Sequence, residues 1–245
     1  MGYRLLYLVV FLTMAQSSSF KQTQCNHDRV RKSYIEKEDV VKQYFKQAGL
    51  SYEGFHLFVR AFKQDQQIEV WVKEKGKSTY DLLHTYDICN SSGRLGPKRK
   101  EGDLQVPEGI YHIQHFNPLS NFYLSLGINY PNESDRLLGD KSNPGSQIYI
   151  HGNCVTVGCL PITDDKIKEL YLLAVEARNN GQHNIPVHIF PTQMRTDAVN
   201  KLLQQHPEDD NLHAFWKNLQ VIYLDFNTKR MPRNVNINSK GEYYF

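Results

Sequence analysis

Apolar residues recur in two rhythms along this chain. Period two comes first. His56 to Phe62 is rich in β-branched and aromatic residues, Gln64 to Gln67 is a polar turn, and Ile68 to Val72 alternates apolar and polar. Tyr80 to Ile88 follows a Gly-Lys-Ser turn, and the spacing predicts two or three antiparallel strands. Ile110 to Phe116, Tyr123 to Ile128, Ile148 to Ile150 and Ile185 to Phe190 read as further strands. Helical spacing appears in residues 26–50, where Val40, Val41, Tyr44 and Phe45 recur and Gly49 is a stop. It returns in Asp164 to Ala177, where Ile167, Leu170, Tyr171, Ala174 and Val175 share a face. Thr163 stands where an N-cap belongs. Thr196 to Gln205 and Leu212 to Phe226 read as two late helices, and Asn234 to Phe245 as a last strand or a mobile end. Residues 90–109 and Asn129 to Asp135 are polar loops; the first is long enough to carry function or to be disordered. Strands come first and helices late, without the regular alternation of a parallel sheet. The expected fold class is therefore a β-rich α+β domain.

The first nineteen residues change the picture of where the protein works. Arg4 precedes an apolar run from Leu5 to Met14, broken only by Thr13, and small residues follow. This is the pattern of a secretory signal peptide over 1–19, and the run is short for a membrane span. The mature chain is expected to be periplasmic or secreted, with no membrane span. Gln24 before Cys25 is not the small residue that lipidation requires. A formal charge of +3 over 245 residues, without a basic stripe or matching motif, argues against nucleic acid. Four cysteines in an exported chain of this size suggest disulfides, yet are too few for a disulfide scaffold, so at least one thiol is free for chemistry.

The densest chemistry lies in Ile150-His-Gly-Asn-Cys-Val-Thr-Val-Gly-Cys-Leu160. A strand delivers His151, and Cys159 follows eight residues later, behind Gly158. A small residue before a reactive Cys lets backbone N–H groups turn toward the group under attack, where they can form an oxyanion hole. A helix starting a few residues later lowers the thiol pKa if the thiol lies near its positive end. An adjacent imidazole takes the thiol proton or pairs with the thiolate. On residue types alone, a buried structural thiol beside a satisfied histidine fits as well.

These residues resemble the active-site motif of the YkuD-type L,D-transpeptidase family, particularly its YafK-like branch. That family carries His-Gly at a strand end and Ser/Thr-x-Gly-Cys further on; here these are His151-Gly152 and Thr156-Val157-Gly158-Cys159. Gly96 to Asp103 with Pro107 to Tyr111, and Leu124 to Asn132 with Asp135, resemble its upstream segments. The resemblance runs from about residue 55 to 195. It implies a YkuD-like catalytic domain over 51–195, a helical segment over 26–50 before it and a helical extension over 196–245 after it. It implies Cys159 and His151 as catalytic, and Gly158, Val157, Thr156, Gly152 and Asn153 as oxyanion or site-shaping residues. Lys98, Arg99, Glu101, Asp103, Tyr130 and Asn132 are the expected substrate-binding set, since stem peptides carry carboxylates.

The implied activity is acyl transfer on peptidoglycan peptide stems through a Cys159 thioester, with no cofactor. The gap between His151 and Cys159 is short, and Leu160-Pro161 stands where many members carry Arg. Both features look like the branch associated with hydrolytic release. Two outcomes therefore stay open: L,D (3–3) cross-linking or attachment to diaminopimelate, and amidase-like release of a wall-attached protein or D-Ala. A catalytically silent wall-binding module is the alternative outside enzymes. A zinc site through His151, Cys154 and Cys159 lacks a fourth ligand at a recognised spacing, so no metal is expected. Cys154 reads as a small packed residue, or as a disulfide partner of Cys159.

Overall fold

The computed structural model describes residues 18–245. The segment read as a signal peptide lies, up to residue 17, outside the described residues. Six helices and ten strands follow in the order α1 (Phe20–Cys25), α2 (Asp28–Ala48), β1 (His56–Phe62), β2 (Gln67–Lys73), β3 (Asp81–Asp87), β4 (Gly109–Asn117), β5 (Ser125–Ile128), α3 (Glu133–Leu138), β6 (Tyr149–His151), β7 (Leu160–Pro161), α4 (Thr163–Asn179), β8 (Ile185–Phe190), α5 (Thr196–Gln205), α6 (Asp210–Lys229), β9 (Asn236–Ile237) and β10 (Tyr243–Tyr244). The β-rich α+β class is what the chain adopts.

Eight strands form one mixed sheet in the order β3-β2-β1-β8-β4-β5-β6-β7, with parallel pairs at β1–β8 and β6–β7. Its two edge strands meet. The Cys89 N–H, just beyond β3, donates to the Pro161 carbonyl of β7 at 3.0 Å, and Cys89 is disulfide-bonded to Cys154. The sheet thus curls around α4, whose Ile167, Leu170, Tyr171, Leu173, Ala174 and Val175 are all buried.

Period two sorts the strands into faces. Leu57, Val59, Ile68, Val70, Leu126, Ile150, Leu160, Val187 and Ile189 share the core with α4 and with Val30, Val41 and Phe45 of α2. The Tyr34 and Tyr44 hydroxyls of α2 donate to Glu176 and Glu169 of α4. The alternate residues face the other way. Over β1, β2 and β8 these are Phe58, Phe62, Trp71 and Phe190, and Trp216, Tyr223 and Phe226 of α6 cover them. Over β5, β6 and β7 they are Ser125, Gly127, Tyr149 and His151, with Cys159 just before β7.

Several expectations are corrected. The expected helix within residues 26–50 is α2, stopped at Gly49, but a further short helix, α1, precedes it and is capped by Ser19, which exchanges hydrogen bonds with Gln22. Thr163 is not the N-cap of α4. That position belongs to Ile162, whose apolar side chain offers no cap, and the Asp164 carboxylate in the first turn accepts the Asn153 N–H at 2.8 Å. The loop Asn129 to Asp135 runs into α3, where Asn132 and Asp135 form a capping box. The tail is an ordered hairpin of β9 and β10.

Candidate active site

The long loop 90–109 is pinned by a buried charge pair. The Lys63 ammonium donates to the carbonyls of Arg94, Gly96 and Val106 at 3.0, 2.8 and 2.9 Å and meets Glu108 at 2.9 Å. The other Glu108 oxygen accepts from the Trp216 indole at 2.8 Å. A carboxylate and an ammonium buried together with every partner satisfied fix one loop geometry. Asp103 does the same nearer the tip, accepting from the N–H groups of Arg99, Lys100 and Gln105 and from the Lys98 ammonium.

This ordered loop borders the His151–Cys159 segment. Parallel pairing sets Ile150 against Leu160 and His151 against Pro161. Cys159 therefore stands beside Tyr149, and its sulfur accepts the Tyr149 N–H at 3.4 Å. His151 lies two residues further along β6, so its side chain and that of Cys159 share a face. The imidazole stacks on Phe122 with ring centroids 4.5 Å apart. Its Nδ1 lies 2.5 Å from the Gly152 carbonyl. A carbonyl only accepts, so Nδ1 carries the proton and Nε2 is left as the basic nitrogen.

The segment between them is held by many bonds. Gly158 has φ +88, and a Cβ there would lie 2.9 Å from the Gln105 carbonyl oxygen, so only glycine fits. A Cβ at Gly152 would come 2.6 Å from an Asp164 carboxylate oxygen. Thr156 accepts the Cys159 N–H at 2.9 Å and donates to the Cys159 carbonyl at 2.8 Å. Asn153 sits in the left-handed region and accepts the Cys154 N–H. Val157 is 71% exposed.

Three readings of this segment change. Cys154 is bonded to Cys89, so it is neither a packed free thiol nor a partner of Cys159. The two sheet edges bring residues 89 and 154 together, which spacing along the chain does not reveal. A disulfide sulfur is also not a thiolate ligand, and no cluster of three or more metal-ligating side chains occurs among the described residues. Next, the N–H groups expected to face substrate are already engaged, Gly158 by the Ser92 hydroxyl at 2.7 Å and Cys159 by Thr156. Finally, the thiol is not acidified in the free protein. Burial pushes the Cys159 thiol up, against the opposing pull of the Tyr149 N–H and the Lys98 charge. Burial also lowers the His151 imidazole, partly offset by its bond to Gly152. Both shifts favour the neutral thiol and the neutral imidazole.

The expected substrate-binding residues separate. Lys98 is buried, bonds Asp103 at 2.7 Å, and its charge reaches the thiol. Glu101 and Lys98 crowd Gly145 in the neighbouring loop. Arg99 turns away, over the Phe215 ring of α6 and 3.8 Å from Asp135. The Tyr130 hydroxyl donates to the Pro144 carbonyl, and the Asn132 amide donates to the Ile110 carbonyl and the Tyr243 hydroxyl. Asn132 caps α3, and the Tyr130 hydroxyl lies by the Lys98 and Pro144 carbonyls. Sequence reasoning missed Ser92, Tyr149 and Phe122, whose positions depend on which strands pair. It also missed Cys89, for which the even cysteine count was a signal.

The chain belongs to the YkuD family of L,D-transpeptidase catalytic domains, whose family model matches residues 57–189. The match spans β1 to β8 and includes both His151 and Cys159. A relative from Escherichia coli (strain K12), provisionally named L,D-transpeptidase YafK, is 35% identical over 186 residues, covering 75% of this chain and 72% of that protein. Among solved structures, the helical cell shape determining protein Pgp2 from Campylobacter jejuni aligns at 16% identity and TM-score 0.44, covering 81% of this chain and 80% of that one. Bdellovibrio bacteriovorus Bd1075 aligns at 19% identity and TM-score 0.40, covering 75% of each. The assignment rests on the family match and the E. coli relative.

Proposed function

We propose that the chain is an exported cysteine acyltransferase acting on peptidoglycan peptide stems. The observation that carries this reading is Cys159 and His151 on one face of adjacent strands, with the imidazole tautomer set by the Gly152 carbonyl so that Nε2 is the base. As a stem carbonyl arrives, Nε2 takes the Sγ proton and Sγ bonds to the carbonyl carbon. The resulting oxyanion takes over N–H donors that Ser92 and Thr156 occupy in the free protein. The tetrahedral intermediate collapses, the C–N bond breaks, and His151 returns the proton to the departing amine. A thioester on Cys159 remains.

An amine acceptor turns that thioester into a new amide, either a 3–3 cross-link or an attachment to diaminopimelate. Water turns it into a free stem, which completes the amidase-like alternative, the D-Ala or wall-attached protein having already left as the amine in the first step. Intact purified peptidoglycan, with and without bound protein, is the substrate that separates the two. New 3–3 cross-linked fragments by mass spectrometry mark transfer, and freed stems or released protein alone mark hydrolysis. A purified protein that binds the wall but leaves every fragment unchanged is a binding module, and the enzymatic reading fails. Export follows from the N-terminal pattern, and no described helix is long and apolar enough to cross a membrane. N-terminal sequencing of the periplasmic protein tests it. Cleavage that retains Ser19 keeps the cap of α1.

A further inference from the structure

A second groove opens on the same sheet face as the thiol, at the seam between the helix-covered half and the loop-covered half. It encloses about 740 Å³ and lies between β4 and β8, α3 and the segment before β9. Its polar walls are built largely from amides: Gln114, Asn129, Asn184, Asn234 and Asn236. His188 of β8 lines it, is only 1% exposed, and its Nδ1 finds no hydrogen-bond partner among the described residues. A buried polar atom without a partner is costly, and a ligand atom is one way to satisfy it. Burial holds this imidazole at about 3, so it is neutral and can accept or donate one bond.

The charges along the rim are selective. Arg233 is already paired with Asp225 at 3.0 Å. Arg136 and Glu133 of α3 form no ion pair among the described residues, with each other or with any other group, and both line the groove. Residues three apart on a helix sit about 5–6 Å apart at Cβ. The groove therefore presents one free cation and one free anion side by side, above amides and a neutral imidazole.

The groove lies on the same face of the sheet as the active site and takes one wall from β4, through Ile110, His112 and Gln114. A bulge between Ile113 and His115 puts His115 on the face that His112 occupies earlier in β4. The His115 side chain and the Tyr149 ring both press on the open side of Gly127, and the Cys159 sulfur bonds the Tyr149 N–H. From β4 to β7 is three strand spacings, about 14 Å.

We propose that this groove binds a second stem peptide through a centre that carries both a free amine and a free carboxylate. The carboxylate would meet Arg136, the ammonium Glu133, and the peptide amides the Asn and Gln side chains. Such a centre occurs at the free end of diaminopimelate, so the ligand's identity rests on the reading of this chain as a wall enzyme. Tyr130 and Asn132 line the same groove, which gives them a place in binding this second peptide.

The test is calorimetric titration of full-length Cys159→Ala protein, which cannot turn over, with a tripeptide ending in diaminopimelate. Arg136→Gln and Glu133→Gln, both on an exposed helix face and checked by thermal melting, are each expected to weaken binding by roughly tenfold. Peptides acetylated on the free amine, or amidated on the free carboxylate, should lose as much. Equal affinity in both variants, equal affinity for capped and uncapped peptides, or no binding at all overturns the proposal. The reading of function fails separately: if wild-type protein forms no acyl-enzyme while binding still depends on Arg136 and Glu133, the groove stands and the transferase does not.

Discussion

One face of the sheet is treated in two ways. Over β1, β2 and β8 it carries Phe58, Phe62, Trp71 and Phe190, and α6 lays Trp216, Tyr223 and Phe226 on top of them. Over β5, β6 and β7 it carries Gly127, Tyr149, His151 and Cys159, and no residue of those strands belongs to the helix-covered clusters. Loops cover that half instead: Phe122 lies on His151, Gln105 against Gly158, and the Gln147 carbonyl near the Cys159 sulfur. Helices seal apolar area and give stability, whereas loops leave a reactive side chain approachable on a rigid strand. The two halves are still joined, because Trp216 of the sealed half holds Glu108, which holds the loop bordering the thiol.

This contrast can be broken from either side. On the open half, His151→Ala should lower turnover by about 10²–10⁴-fold with only a small change in melting temperature. A loss of folding in its place would make the histidine a core residue. On the sealed half, Trp216→Ala should cost about 3–5 kcal/mol in denaturant unfolding. It should leave activity per folded molecule within a few-fold unless the Glu108 link matters. A large drop in kcat at full folding would show that the two halves are coupled through Glu108. Replacing Cys89 and Cys154 together by Ser opens a loop of 65 residues and should cost about 2–4 kcal/mol. No loss of stability would mean that the edge closure adds nothing.

Smaller effects come from pH. Burial raises the Cys159 thiol, so its alkylation by iodoacetamide should keep accelerating beyond pH 9 in the free protein. A plateau near neutral pH would mean a preformed thiolate pair. His188 and His151 are both held below their ordinary values by burial. The unfolded chain then binds protons that the folded chain does not. The stability they contribute is present above about pH 6.5 and is lost as pH falls from there toward the folded values. Melting temperatures between pH 7 and 4 measure it.

Much of this was legible before any coordinates. β1 and β8 fall where period two places them, and α5 where helical spacing does, because each strand buries one face and each helix one stripe. The His-Gly and Thr-x-Gly-Cys motif marked His151 and Cys159 as candidates because both lie within one short stretch of chain, and the β6–β7 register sets them on one face. The disulfide was not legible, since Cys89 and Cys154 meet only when the sheet curls and its edges close. Nor was the division of the charged loop, in which Asp103 folds the backbone and Arg99 turns to α6. Residue types alone do not say which side of a loop faces the site. The short α3 could have been found, because Asn132 and Asp135 stand at capping-box spacing.

The function proposed for this motif of one histidine and one cysteine turns on a single event, the transfer of a stem acyl group to sulfur. Intact-protein mass spectrometry after brief incubation with a stem peptide ending in D-Ala reads that event directly. The account predicts a mass increase equal to the acyl stem, mapped to Cys159 by peptide sequencing and absent in Cys159→Ala. A wild-type protein that releases D-Ala without ever carrying that mass, or that carries it equally in Cys159→Ala, would contradict it.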